Sequence, residues 1–362
     1  MRVITEKQLG YALARLCDRF PMTDDERTAF IEHHIMAGLR GNIMQGLGNI
    51  EYLWVRRFLE GRVKFGAQFK TVVETPAAVV TDAGGMLGML AGKRAMELAV
   101  GKAKVAGIGA VWLRNTTDWG AGGYCVIQAL PHACVGYALA NSRPEVAPYG
   151  GIDMVFGHGN YCVAIPTNRH FPLLIDMAAV DCGGVKGQED ILTGRCLPSG
   201  VFIDEHGNPI TDVSQWGTIG GYALPKGGQK MKSGKELCLV MSIEAMAGAL
   251  SGMLCALDLN TPEDPANNIR TPKGQMVMVI DIAAFTPVAE FTAKIDRMID
   301  QTKGGRRAPG FDEILVPGER GYRLAERQAR EGIAYHDRIW NRARSGWRRA
   351  GLDLDAIIKE AN

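Results

Sequence analysis

Apolar positions along the chain change period twice. In "TEKQLGYALARLCDRF" Leu9, Leu13, Leu16 and Cys17 recur on one helical face. "TDDERTAFIEHHIMAGLRG" opens with Thr23 and Glu26, spaced as a capping box, and stops at Gly41. "IEYLWVRRFLEG" predicts a third helix closed by Gly61. From Phe65 onward strands and helices mix: "AAVVTDA" predicts a strand, "AGKRAMELAVGKAKVAG" a helix and "IGAVWLRN" a strand. "MVFGHGNYCVAIPT", "FPLLIDMAAV" and "GQMVMVIDIAAF" predict further strands, the second short and buried. "KELCLVMSIEAMAGALSGMLCAL" is apolar almost all round, which predicts a helix buried in the body. "PVAEFTAKIDRMIDQTKG" predicts an amphipathic helix, and the basic tail from Arg323 is helical.

This order describes a helical lobe over residues 1–75, joined by helices of 320–362, against an α/β body over 76–319 with interleaved sub-lobes. No repeat and no Pro-, Ser- or charge-rich linker divides the 362 residues. The 45 glycines sit in turns between apolar runs, as in a loop-rich α/β enzyme. A net charge of +2 gives no field that selects nucleic acid or a membrane surface. The start lacks the apolar core of a signal peptide and no apolar run approaches ~20 residues, so a cytoplasmic protein is expected. Eight cysteines are scattered with no Cys-x-x-Cys pair, which predicts reduced thiols and no metal site. His33 and His34 are adjacent on a predicted helix and point apart, which argues against joint metal binding. In the tail, Arg338, Arg342, Arg344, Arg348 and Arg349, with Arg330 just upstream, gather around Trp340 and Trp347. Near-neutral overall charge favours a helix face packed on a partner subunit over a nucleic-acid surface.

"RNTTDWGAGGYCV" (114–126) has the outline of an active-site rim: a strand end, a polar turn, then glycines leading into a helix. A Rossmann fingerprint is absent. Gly46-Leu47-Gly48 and Gly157-His158-Gly159 come near, but each lacks the third glycine. No Walker loop and no Gly-x-Ser-x-Gly elbow occurs, so any dinucleotide binds through another architecture.

An ordered series of segments resembles the type-2 malate/L-lactate dehydrogenase family across residues 5–335. "LRGNIMQGLGNIEY" is similar to the family's Arg-Gly-x-x-Ser-His-Gly helix junction, and "NTTDWGAGGY" to its Asn-Ser-x-His-Phe-Gly-x-x-Gly-Tyr loop. "NSRPEVAPYGG", "LLIDMAAV", "IEAMAGALSG" and "APGFDEILVPGER" follow in register. The resemblance implies a non-Rossmann α/β fold with a mixed sheet and an interleaved helical lobe. It further implies a homodimer, an NAD or NADP cofactor, and reduction of 2-oxo acids or related substrates. Carried over by position, the cofactor meets Ser142, Asp176, Met177, Ala178, Lys235, Gly318, Glu319 and Arg320. Lys230 competes with Lys235, whose nine-residue spacing to Glu244 fits the family helix better.

The departures fall on the chemistry. Met44-Gln45 stand where the family has Ser-His, Asp118 where the loop has histidine, and Trp119 where it has Phe. Gly48 stands where an Arg holds the substrate carboxylate, while Tyr52 is kept. Gly157-His158-Gly159-Asn160 replaces a Gly-Thr-Asn-Pro turn. Ketone reduction needs a proton donor near the carbonyl oxygen. Gln45 cannot supply one, and Asp118 can only with a pKa raised well above ~3.9. Two readings stand for His158: a replacement acid, or an imidazole hydrogen-bonded in a glycine turn. Two stand for Tyr52: a donor to substrate, or an aromatic packed between helices. Subtracting an Arg and adding an Asp points to a substrate without the usual carboxylate, or to one whose cation pairs with Asp118 and stacks on Trp119. The sequence thus predicts an NAD(P)H-dependent oxidoreductase acting on a C=O or C=N bond, not on simple lactate or malate. Redox-neutral lyase or isomerase chemistry, or binding without catalysis, are the alternatives.

Overall fold

Two matched caps start the helical lobe. The Thr5 side chain accepts from the Gln8 N–H and the Gln8 side chain returns the bond, opening α1 (Glu6–Cys17); Thr23 and Glu26 do the same for α2 (Asp24–Leu39). Each box satisfies helix N–H groups that have no partner within the helix. The third predicted helix is wider than an α-helix at first. Ile50–Val55 is a π-helical turn that runs into α3 (Arg56–Leu59), and Met44–Gly48 ahead of it is helical but kinked at Gly46. Such turns recur at functional sites because the extra residue per turn re-aims side chains.

The computed structural model describes residues 1–180, 189–190, 192–195, 201–204, 206–210, 222–223, 234–260 and 273–361. Its strands are β1 (Arg2–Ile4), β2 (Lys70–Glu74), β3 (Ala78–Asp82), β4 (Ile108–Thr116), β5 (Cys134–Ala140), β6 (Asn160–Ile165), β7 (Leu173–Ala178), β8 (Phe202–Ile203), β9 (Pro209–Ile210), β10 (Tyr222–Ala223), β11 (Lys273–Asp281) and β12 (Ile333–Tyr335). Seven of them form one sheet in the order β2-β3-β4-β11-β5-β6-β7. Only β3 and β4 are parallel, joined by the crossover helix α4 (Gly88–Ala106). The other pairs are antiparallel, so the sheet is mixed and no doubly wound dinucleotide fold is built.

α4 lies hard against the sheet. A Cβ on Gly109 would sit 2.0 Å from the Ala99 carbonyl oxygen, and one on Gly88 2.1 Å from that of Asp118. Gly88 therefore lets the helix start touch the loop that follows β4. That loop leads into the short helix α5 (Gly123–Val126).

Three expectations are corrected. "FPLLIDMAAV" forms β7 with Leu173 and Leu174 buried as expected, but at the sheet edge and with Asp176 exposed. Gly157–Gly159 is a loop ahead of β6, so only part of "MVFGHGNYCVAIPT" is strand. The all-apolar segment forms α6 (Lys235–Ile243) and further turns, yet Met241, Leu250 and Leu254 are exposed because only one side packs on the sheet.

The tail contains α7 (Val288–Lys303), α8 (Glu319–Glu331), α9 (Asp337–Arg349) and α10 (Leu354–Glu360). Its tryptophans belong to the chain's own core rather than to a partner-facing surface: Trp347 Nε1 donates to the Ala12 carbonyl at 3.3 Å and Trp340 Nε1 to Asp355 at 3.0 Å. Arg349 pairs with Glu51 at 3.1 Å, so α9 braces the π-helical turn from behind. β1 pairs with β12, which ties the two ends together. The six described cysteines are free thiols; Cys182 and Cys196 lie outside the described residues. Among the described residues no helix is long and apolar enough to cross a membrane.

Replacing Gly88 by Ala is expected to cost roughly 1–3 kcal/mol by overpacking, because its neighbours are backbone oxygens that cannot rotate away. Thermal melts of Gly88→Ala check this; an unchanged melting temperature means that the Asp118 loop simply yields.

Candidate active site

A single concave site gathers residues from across the chain. The stretch from Met44 to Val55 contributes Gln45, Asn49 and Tyr52, the loop after β4 contributes Asp118 and Trp119, and β11 contributes Lys273 and Gln275. Ser142 and His158 close the far wall. The cavity holds about 190 Å³, some six waters at ~30 Å³ each, which suits a small metabolite.

Register irregularity places the two charged residues at its base. β4 spends three steps from Leu113 to Thr116 against two on β11 from Gln275 to Lys273, a bulge at the strand end. Asn115 takes φ +54° there, a left-handed conformation that asparagine tolerates, and its side chain donates to Asp82 at 2.6 Å. The bulge turns Asp118 and Lys273 toward one another.

Asp118 is clamped between two cations. Arg57 Nη1 donates to Oδ2 and Lys273 Nζ to Oδ1. Burial pushes the carboxyl up, but the charge of Lys273, then that of Arg57, and the hydrogen bonds of both hold it well below the usual carboxylate range. This corrects two expectations. Asp118 stays ionised and is no proton donor, and its charge is already met from within the chain, so it is not free to anchor a substrate cation. Trp119 is 3% exposed, with its ring against Gly92 and Gly122, so it offers no open face for a stacked cation. Gly48 is buried against Met44 and does not line the cavity.

The loop is held from below by a residue of α2. Ala121 N–H donates to His33 Nε2 at 2.8 Å, and Gly120, at φ +71°, leaves room for that imidazole. His33 and His34 do not point apart as their helix positions suggest; their Nδ1 atoms come within 3.4 Å, while His34 Nδ1 lies 2.7 Å from the Phe30 carbonyl. Burial lowers both imidazoles, His34 to about 4, so both are neutral supports at neutral pH.

His158 faces the cavity beside Glu145, with Nδ1 3.4 Å from Oε2. Burial raises Glu145, but contact with His158 and the charges of Lys273 and Arg143 bring it below its ordinary value, so an anion stands next to the imidazole. Tyr52 lines the cavity and is 42% exposed, so it is not packed away between helices.

Buried polar atoms without a hydrogen-bond partner concentrate here: Gln45 Oε1, Asn49 Oδ1, Arg57 Nε, Trp119 Nε1, Ser142 Oγ and Gln275 Oε1. Folded proteins rarely leave such atoms unsatisfied, and a cluster of them marks a surface completed by a ligand or water. Gly157 helps keep one open, since a Cβ there would stand 2.2 Å from Ser142 Oγ.

The residues assigned to the cofactor separate into two groups. Ser142 lies in the cavity wall, and β7 runs from it: Ala178 pairs with Asn160, and Ala179 N–H donates to the His158 carbonyl at 2.9 Å. Leu174 N–H instead donates outward to Pro317 at 3.3 Å. By the two-residue alternation of an antiparallel strand, the backbone groups of Asp176 and Ala178 also face outward, and those of Met177 face β6. Asp176 is an exposed residue of this edge, but its carboxylate accepts from Gly123 N–H at 2.9 Å and from Cys162 Sγ at 3.3 Å, and burial pushes it up. Gly318 marks the other end, at φ +88°, where a Cβ would meet Leu174 N at 2.9 Å. Lys235 is exposed at the start of α6. Lys230 lies outside the described residues.

Glu319 and Arg320 do not join this group in the same way. Glu319 is buried, takes both Lys303 bonds at 2.7 and 2.8 Å, and is also bound by Arg323, so its carboxylate is spent on structure. Arg320 is exposed on α8.

The malate/L-lactate dehydrogenase family model matches residues 4–343. The chain belongs to the malate/L-lactate dehydrogenase family. It is 29% identical over 352 residues to a malate dehydrogenase of Pyrococcus horikoshii, covering 97% of this chain and 96% of that one. It is 29% identical over 346 residues to an L-sulfolactate dehydrogenase of Methanocaldococcus jannaschii, covering 94% and 95%. A crystal structure of malate dehydrogenase from Entamoeba histolytica shares the fold with a TM-score of 0.91 at 21% identity, covering 97% and 98%. This member of the malate/L-lactate dehydrogenase family is accordingly an oxidoreductase of dehydrogenase type acting on a small substrate.

Sequence reasoning missed Arg57 and Lys273, which lie 61 and 155 residues from Asp118. No local spacing signals them. The unmatched charge of Asp118 in an otherwise conforming loop was the only hint that cations had to come from elsewhere.

Because Asp118 is depressed in the fold, its stabilisation is complete above the unfolded value of about 3.9 and is lost as pH falls toward the folded value. Asp118→Asn is expected to melt below the parent protein at neutral pH, with the gap narrowing below pH ~4. Melts across that range check it; a constant gap would show that the carboxylate is not ionised in the fold.

Proposed function

We propose that the protein is a nicotinamide-dependent 2-hydroxy acid dehydrogenase, or a reductase of the matching C=O or C=N compound, whose substrate carries a carboxylate. The observation that carries this reading is the cavity base. Arg57 and Lys273 bring two positive charges against the single negative charge of Asp118, and Arg57 Nε has no partner. The sequence alone favoured a neutral or cationic substrate because it counted the missing Arg at position 48 and not the cations supplied from α3 and β11. The family relatives named above act on malate and sulfolactate, both 2-hydroxy acids, which agrees with an anion-holding base.

The residues present fit a dinucleotide laid along the outer edge of β7. Ser142 Oγ is an orphaned buried hydroxyl, Asp176 offers a carboxylate at the edge for hydroxyl groups, Ala178 offers outward backbone groups, and Lys235 offers an exposed cation. A nicotinamide dinucleotide, when bound, supplies or accepts the hydride. The chain's own residues do the rest. Arg57 and Lys273 hold the carboxylate and orient the carbon that reacts, by charge-assisted hydrogen bonds. His158, next to ionised Glu145, gives its proton to the substrate oxygen or nitrogen on reduction and recovers it on oxidation. Tyr52 donates a hydrogen bond from the mouth of the cavity.

The test is loss of absorbance at the reduced-nicotinamide band with a panel of 2-oxo acids, together with NADH and NADPH titrations by fluorescence. Turnover with a 2-oxo acid and none with uncharged ketones is expected. Binding of neither dinucleotide would end the proposal. His158→Gln is expected to lower kcat by about 100-fold or more while leaving dinucleotide affinity in place; an unchanged kcat transfers the acid role to another group.

A further inference from the structure

The clamp on Asp118 has the composition of a carboxylate-binding subsite. One carboxylate is met on its two oxygens by two different cations, Arg57 on Oδ2 and Lys273 on Oδ1, within the wall of the substrate cavity. The carboxylate differs from a bound ligand only in being tethered to the loop after β4. That loop is itself fixed by His33 and by the close approach of Gly88, so the group is delivered to one place.

We propose that Asp118 is a built-in occupant of a second anion subsite, and that it makes the enzyme select substrates with one carboxylate over those with two. The choice of substrate class rests on the reading above; the subsite itself does not. The charge count decides the preference. Arg57 and Lys273 carry two positive charges and Asp118 removes one, which leaves a single positive charge at the cavity base, where Arg57 Nε is buried without a partner. One external carboxylate is balanced. A second meets the Asp118 carboxylate at the base or ionised Glu145 beside His158, and like charges in a confined cavity repel. The other nearby cations do not alter the count. Arg62 is engaged by Glu60 at 2.6 Å, and Arg143, exposed at the cavity rim, offsets the charge of Glu145.

The experiment removes the tethered carboxylate and offers free ones. In Asp118→Ala, acetate, formate and malonate are expected to raise the melting temperature well beyond their effect on the parent protein, because they refill the vacated site. In the same variant, the ratio of kcat/KM for a four-carbon 2-oxo dicarboxylate over a four-carbon 2-oxo monocarboxylate is expected to rise by roughly tenfold or more. Should the alanine variant fold only with acetate present, that dependence is the same positive result. Asp118→Asn, which keeps the side-chain volume, repeats the substrate ratio without a cavity. Equal anion effects on variant and parent, together with an unchanged substrate ratio in the asparagine variant, overturn the subsite. Anion stabilisation of the alanine variant without dinucleotide-dependent turnover of any 2-oxo acid by the parent keeps the subsite and defeats the functional reading instead.

Discussion

The molecule's site depends on one buried charge cluster, the Asp118 carboxylate held by Arg57 and Lys273. The three residues come from the third helix, the loop after β4 and the first residue of β11, so the contact fastens the helical lobe to the centre of the sheet. A partly buried ion group gains little net stability, since desolvation offsets attraction. Removing one member is another matter, because it strands the rest. The cluster therefore acts less as a source of stability than as a specification of how lobe and sheet meet, and the substrate cavity is the space left above it.

The same cluster explains why the chain keeps a dehydrogenase scaffold while its loop residue has changed. A histidine in that loop needs no cationic neighbours, whereas an aspartate there needs at least one. Arg57 and Lys273 answer that need. The cavity's imidazole stands on a different loop, where His158 sits between the β6 entrance and Glu145. The charge cluster and the imidazole occupy different walls of one cavity.

What could be read from sequence was local. The Thr23–Glu26 cap, the α4 pattern closed by Gly107, and the strand-turn-helix outline of 114–126 are each written within a few turns of chain, and each is present. The ordered segments shared with the family also carried the fold. What could not be read was set by pairing at long range. Glu145 reaches His158 because Val146 bridges to Phe156, and His33 supports Ala121 from 88 residues away. The edge position of β7 escaped for a related reason: an apolar run looks alike in the middle of a sheet and at its edge, and only strand order separates the two. The tail tryptophans were misplaced because basic residues on one side of a helix say nothing about what its other side meets.

The position of β11 has a consequence for how the chain is made. The strand lies between β4 and β5, yet it is translated after both of them and after β6 and β7. Until residue 281 has left the ribosome, the inner edges of β4 and β5 have no neighbour to pair with, and the sheet exists only as two separate halves. Unpaired strand edges invite association with other chains. Nascent or truncated forms that stop short of Lys273 are thus the aggregation-prone species of this protein, and the arrival of a single strand late in synthesis is the event that closes the sheet.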